Sequence, residues 1–168
     1  CVDEDGGRRG ILCEFPRQPP WFVVSLSVAL SLSYAYVDRK DLGVVMPSQG
    51  FSSFERYVTF LFAHLTVSHL ISNLSLLLLS SLSMEMFHGS LRVAAIFFAG
   101  GVMGGVGQNI VHIHTSKGTT TLLVGASPGA FALAAAQFSN VLLNHDVMPL
   151  FGVRIFVLLV YVCSETLM

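Results

Sequence analysis

Two groups of uncharged polar residues have the types and spacing to do chemistry. The first is His64, His69 and Asn73, set in a stretch of Leu, Val, Phe and Ser. On a helix at about 100° per residue, His69 and Asn73 share one face, an imidazole above a carboxamide. Two fixed donors in a dry, low-dielectric site are what a developing oxyanion needs. The same pair would also serve as hydrogen-bonding glue between helices. His64, five residues before His69, would lie about 140° round the helix and point elsewhere.

The second group is Gly125-Ala126-Ser127-Pro128-Gly129. It matches the G-x-S-x-G nucleophile elbow, but that motif needs a preceding strand and a downstream acid and histidine on a soluble sheet. Neither context is present, so the elbow reading fails. What remains is a serine between glycines at a helix start. Pro128 suits the first turn, where its missing N–H has no helical partner anyway. Ser127 would then sit at the positive end of the helix dipole. A serine N-cap flanked by packing glycines is the alternative.

The elements that must hold these residues follow from charge. Of 168 residues, 53% are hydrophobic and 11% charged, less than half the roughly 25% usual in soluble domains. Residues 18–37, 57–84, 93–116 and 118–145 contain no Asp, Glu, Lys or Arg. Each stretch is long enough for the roughly 20 apolar residues that cross a bilayer core. The chain is therefore expected to be an all-α polytopic membrane protein, not a soluble enzyme, a disulfide scaffold or a disordered segment. With a net charge of −1 it is not expected to bind nucleic acid.

Residues 1–20 form a polar segment ending in Pro19-Pro20, and residues 21–168 form the membrane domain. Spans are expected at Trp21–Val37, within Tyr57–Met84, at about Val93–Val111 and at about Ser127–Asn144, with a fifth over Met148–Cys163. Asp38–Arg56 and His112–Thr121 read as loops, and Glu85–Arg92 as a polar corner. Gly100, Gly101, Gly104, Gly105 and Gly107 give the third span a face that other backbones can approach closely. Lys/Arg split five to four in favour of a cytoplasmic N-terminus. In that topology the second and fourth spans both descend from outside, so His69, Asn73 and Ser127 can share one outward cavity. Cys1, Cys13 and Cys163 make neither a metal spacing nor an even disulfide set, and no metal or cofactor is expected. Asn73-Leu74-Ser75 matches a glycosylation sequon only by chance, because it lies inside a span. Cys1 in place of Met, and a last apolar run cut short at Met168, are expected of a fragment.

From about Pro20 onward the sequence resembles the rhomboid intramembrane serine proteases. His64-Leu65-Thr66-Val67-Ser68-His69-Leu70-Ile71-Ser72-Asn73 is similar to the family's His-x4-His-x3-Asn, and Gly125–Leu133 to its Gly-Ala-Ser-Gly block. Glu85-Met86-Phe87-His88-Gly89 with Arg92 resembles a corner common in the secretase-type animal branch. The resemblance implies a rhomboid-like helical bundle, with about five of six core helices in this chain. It implies Ser127 as nucleophile, His69, Asn73 and the Ser127 N–H as the oxyanion hole, and His64 as a supporting residue. It further implies single-span membrane proteins as substrates, cut in or near the transmembrane helix, in the secretory pathway or plasma membrane. Arg56 matches the family's Trp-Arg signature, but Glu55 replaces the Trp that anchors the first loop. Pro128 replaces the usual Gly after the serine. The family's general base is a histidine on a sixth helix. His145 is expected on the opposite face from Ser127, so this chain alone should be inactive. A catalytically inactive client-binding relative and a channel or proton relay through His64 and His69 are the competing readings. The intact Ser127 block argues against the former. The lack of an acidic partner in any span argues against the latter.

Overall fold

A computed structural model describes residues 18–38, 44–46, 53–115 and 121–144, with Gly152, Ile155, Phe156, Leu159, Val160 and Cys163. Helix α1 (Trp21–Tyr36) is followed by strand β1 (Val44–Met46), the short helix α2 (Arg56–Thr59) and a 3₁₀ turn (Phe60–Phe62). Then come α3 (Val67–His88), α4 (Ser90–Thr115), strand β2 (Thr121–Leu123) and α5 (Ser127–Leu143). The result is a helical bundle with one small addition that the sequence reading does not contain. Strands β1 and β2 pair antiparallel, Val44 opposite Leu123 and Met46 opposite Thr121. This ties the first loop to the residues that lead into Ser127.

Apolar side chains face both ways on these helices. On α1, Val23, Leu26 and Leu30 are buried while Val24, Val28 and Leu32 are exposed. Ile71 on α3, Met103 on α4 and Leu143 on α5 are exposed too. A helix that is hydrophobic all round belongs in lipid or in a large core, and these outward apolar side chains are exposed, not covered by a core. This is a membrane protein. Helices α3 and α4, of 22 and 26 residues, are long and apolar enough to cross a membrane. Helix α1, at about 24 Å, falls short of the ~30 Å hydrocarbon core by itself.

Two expected boundaries move. The second span, expected within 57–84 and to carry His64, starts only at Val67, after the short helix α2 and the 3₁₀ turn at Phe60–Phe62. Conversely, α4 runs to Thr115, so His112 and His114 are helical and not in a loop. Between α3 and α4 the polar corner shrinks to one residue, Gly89, whose φ of 84° suits glycine. Most of the 1–20 segment, Lys117, His145, Arg154 and most of the expected fifth span lie outside the described residues. Of that span, the described positions Gly152, Ile155, Phe156, Leu159, Val160 and Cys163 are helical.

Glu85 closes the bundle at this end. Pro20 precedes α1 and supplies no side-chain cap; Trp21 N–H donates to the Pro19 carbonyl at 2.9 Å, but Phe22 and Val23 N–H have no partner within the helix. The fully buried carboxylate of Glu85 accepts from Phe22 N–H at 2.6 Å, Val23 N–H at 2.8 Å and Ser90 Oγ at 2.5 Å. A negative charge is unfavourable at the C-terminal end of its own helix α3, but favourable at the N-terminus of α1. Glu85→Ala is therefore expected to cost about 3 kcal/mol, read as a lower unfolding midpoint in detergent. Glu85→Gln, which keeps one carbonyl acceptor, should recover part of that loss. An unchanged midpoint in the alanine variant contradicts the cap.

Candidate active site

The site is built from two chain segments that meet edge to edge. The first is the lead into α3. Tyr57, Phe60 and Leu61 are buried in the main apolar cluster with Leu133 of α5 and Phe97 of α4. The chain then turns extended at Ala63 (φ −89°, ψ 135°) and at Thr66 (φ −136°, ψ 160°). Thr66 caps α3, its Oγ1 accepting from His69 N–H at 3.1 Å. His69 thus stands in the first turn of α3, and Asn73 one turn below it, 3% exposed. Asn73 Nδ2 donates one hydrogen to the His69 carbonyl at 2.9 Å. Its second amide hydrogen remains for another acceptor.

His64 is not on this helix, and the expectation that it points elsewhere is wrong. It lies in the extended lead, where the 100° rule does not apply. Its ring, 1% exposed, packs edge-on against that of His69 with centroids 5.2 Å apart. Helical spacing separated two residues that the break in the helix brings together.

The second segment is the turn from β2 into α5. Gly125 has a φ of 119°, a conformation that L side chains rarely adopt. Its N–H donates to the Phe60 carbonyl at 3.0 Å. The next N–H, of Ala126, points at His64 Nε2 at 3.5 Å, a long contact. The turn into the serine is therefore held by the segment that leads into α3. A β-carbon added at Gly125 would lie 2.8 Å from both Cε1 and Nε2 of His69, and 3.7 Å from Asn73 Nδ2. Gly125 is what allows the imidazole to close on this backbone, while the Asn73 amide sits at ordinary contact distance.

Ser127 is two residues further on, half-buried in the first turn of α5. The cap is Ala126, with no side-chain cap bond, so Ser127 is not the N-cap serine of the alternative reading. Its hydroxyl makes no hydrogen bond among the described residues, and it sits at the positive end of the α5 dipole. His69, Asn73 and Ser127 thus converge on one backbone turn, with His64 behind it. An imidazole and an amide at the turn two residues before a serine hydroxyl are the group types that acyl transfer through a tetrahedral intermediate uses. Among the described residues no cluster of three or more metal-ligating side chains occurs. The Phe60 carbonyl left no signal in the sequence, because any residue has one. Thr66 did leave one, a threonine ahead of an apolar helix. Glu55 is exposed at the start of α2. The first loop is anchored instead by the β1–β2 pairing and by buried Tyr57.

The Rhomboid domain family matches residues 51–168. The chain is similar to Rhomboid-related protein 2 of Mus musculus, at 33% identity over 112 residues, 66% of this chain and 35% of that protein. Rhomboid-related protein 3 of Mus musculus is 29% identical over 144 residues, 77% of this chain and 34% of that protein. Rhomboid-related protein 1 of Caenorhabditis elegans is 33% identical over 107 residues, covering 64% and 28%. These relatives are animal proteins, and the chain spans about a third of their length. No solved structure matches.

The close approach at Gly125 has a direct test. Gly125→Ala combines a disfavoured φ with a β-carbon inside the His69 ring contact, at a cost of about 1–3 kcal/mol for the backbone alone. A clear drop in unfolding midpoint is expected. A midpoint equal to that of the unsubstituted protein contradicts the described turn.

Proposed function

Because this chain belongs to the rhomboid family, we propose that it forms the site of an intramembrane serine endopeptidase in which Ser127 is the nucleophile. One observation carries the proposal. The His69 ring and the Asn73 amide meet at Gly125, two residues from a serine hydroxyl that has no partner among the described residues. In this reading Ser127 Oγ attacks the scissile carbonyl. The carbonyl oxygen, becoming an oxyanion, is received by the Asn73 amide, by His69 and by the Ser127 N–H. The α5 dipole favours the same charge. His64 positions the turn through the Ala126 N–H and does not touch substrate. A histidine of a sixth helix supplies the base, taking the proton from Ser127 Oγ and returning it to the leaving amine.

Substrates are single-span membrane proteins, cleaved in or near a transmembrane helix whose backbone can unwind to present a carbonyl. The protein is multi-pass, with a cytoplasmic N-terminus, in the secretory pathway or plasma membrane. No cofactor takes part. The client-binding alternative predicts capture of the same single-span proteins without cutting.

Cleavage of a single-span reporter in cells expressing the protein separates the two readings. Ser127→Ala is expected to abolish cleavage; persistence at the unsubstituted rate refutes the nucleophile. Capture of an uncut reporter by both forms favours client binding. Asn73→Ala should slow turnover by roughly 10²–10³ if the amide receives the oxyanion, whereas a helix-gluing asparagine would alter stability more than rate.

A further inference from the structure

Helix α4 contributes no side chain to the site, yet it touches the nucleophile's neighbour through a missing one. Helices α4 and α5 run antiparallel and interdigitate at matched four-residue steps. A β-carbon added at Gly100 would lie 2.2 Å from Ala132 Cβ. One added at Gly104 would lie 2.5 Å from Pro128 Cβ and 3.4 Å from its Cγ. One added at Gly107 would meet nothing within 4 Å. The next residue, Gly129, is pressed against Phe97, with an added β-carbon 2.6 Å from the ring and 2.8 Å from the Phe97 carbonyl oxygen. Pro128 is therefore backed by Gly104, and the residue after it is held against Phe97. The proline ring fixes φ, so it cannot swing aside as a flexible side chain would.

We propose that Gly104 is a positioning residue for Ser127, seating the Pro128 ring so that bulk at 128 and its absence at 104 form a matched pair. The proposal rests on Ser127 being the nucleophile. Carbon atoms pack at about 3.5–4.0 Å, so a β-carbon at 104 must push Pro128 by about 1 Å. The peptide joining Pro128 to Ser127 is rigid, and the hydroxyl moves with it. A misplacement of about 1 Å can cost on the order of 100-fold in rate.

The experiment is a mutant cycle in liposomes with a single-span substrate, on the protein carrying the sixth helix that supplies the base. Gly104→Ala is expected to lower kcat by about 10- to 100-fold with KM little changed, and Gly107→Ala to leave both unchanged. Adding Pro128→Gly to Gly104→Ala removes the β- and γ-carbons and should restore most of the rate. Adding Pro128→Ala keeps the β-carbon and should not. The same cycle in a Ser127→Cys background reads position without catalysis, as the rate at which a soluble maleimide labels that site, mapped by peptide mass. Equal behaviour of Gly104→Ala and Gly107→Ala in both assays overturns the proposal, as does equal rescue by the glycine and alanine substitutions. If Gly104→Ala does not fold, folding of the Gly104→Ala/Pro128→Gly pair supports the seat and its failure to fold overturns it. Should the unsubstituted protein cleave nothing while the labelling cycle keeps its pattern, the protease reading falls and the seat stands.

Discussion

The steric emptiness of one helix face governs this bundle. Helix α4 presents Gly100 and Gly104 to α5, and Gly101 and Gly105 to Leu61, Phe60 and Tyr57. These are the two segments that carry the site. One brings Ser127, and the other brings the Phe60 carbonyl and His64 that hold the turn before it. With side chains on α4, neither segment could lie as deep, and the two would not meet. In lipid, where apolar side chains gain little by leaving the solvent, close backbone packing of this kind supplies much of the association between helices. The helix that lends no side chain to the candidate site thus sets the distance between the segments that do.

Polar groups in this bundle are settled by tertiary partners wherever the local sequence offers none. Helix α1 lacks a cap of its own and receives Glu85 from the far end of α3. Asn109 of α4 is bonded to the Tyr57 hydroxyl across the bundle. Ser33 donates to the Phe62 carbonyl at 2.7 Å, fastening the end of α1 to the 3₁₀ turn. Each contact satisfies a group that hydrocarbon could not. Several converge on residues 57–62, the short turns that replace the expected start of the second span. That segment is held from α1, α4 and the Gly125 turn together, which explains how so short a piece of backbone can serve as a rigid support.

The legible part of the site was the part governed by local periodicity. His69 and Asn73 lie four apart on a true helix, so their shared face could be read directly. The glycine steps on α4 were legible for the same reason, although Gly107, which meets nothing, looks no different in the sequence from Gly104. His64 was misread because a charge-free stretch reports only the solvent it prefers. Residues 57–84 carry no charge, but their backbone breaks at 63–66, and periodicity cannot be carried across a break. The β1–β2 pairing was illegible on other grounds: three-residue strands 75 or more positions apart leave no pattern within either segment.

Sequence alone determined the solvent, the helical class, the family likeness and which polar residues to consider as a site. Those properties follow from composition, period and short motifs, each readable within a few turns of chain. Tertiary structure decided which groups face one another: His64 against His69, Gly125 against both His69 and Asn73, Pro128 over Gly104, and Glu85 under α1. These depend on distances between segments remote in sequence, set by how closely backbones can approach. That closeness belongs to pairs of surfaces, and no single stretch of residues contains it.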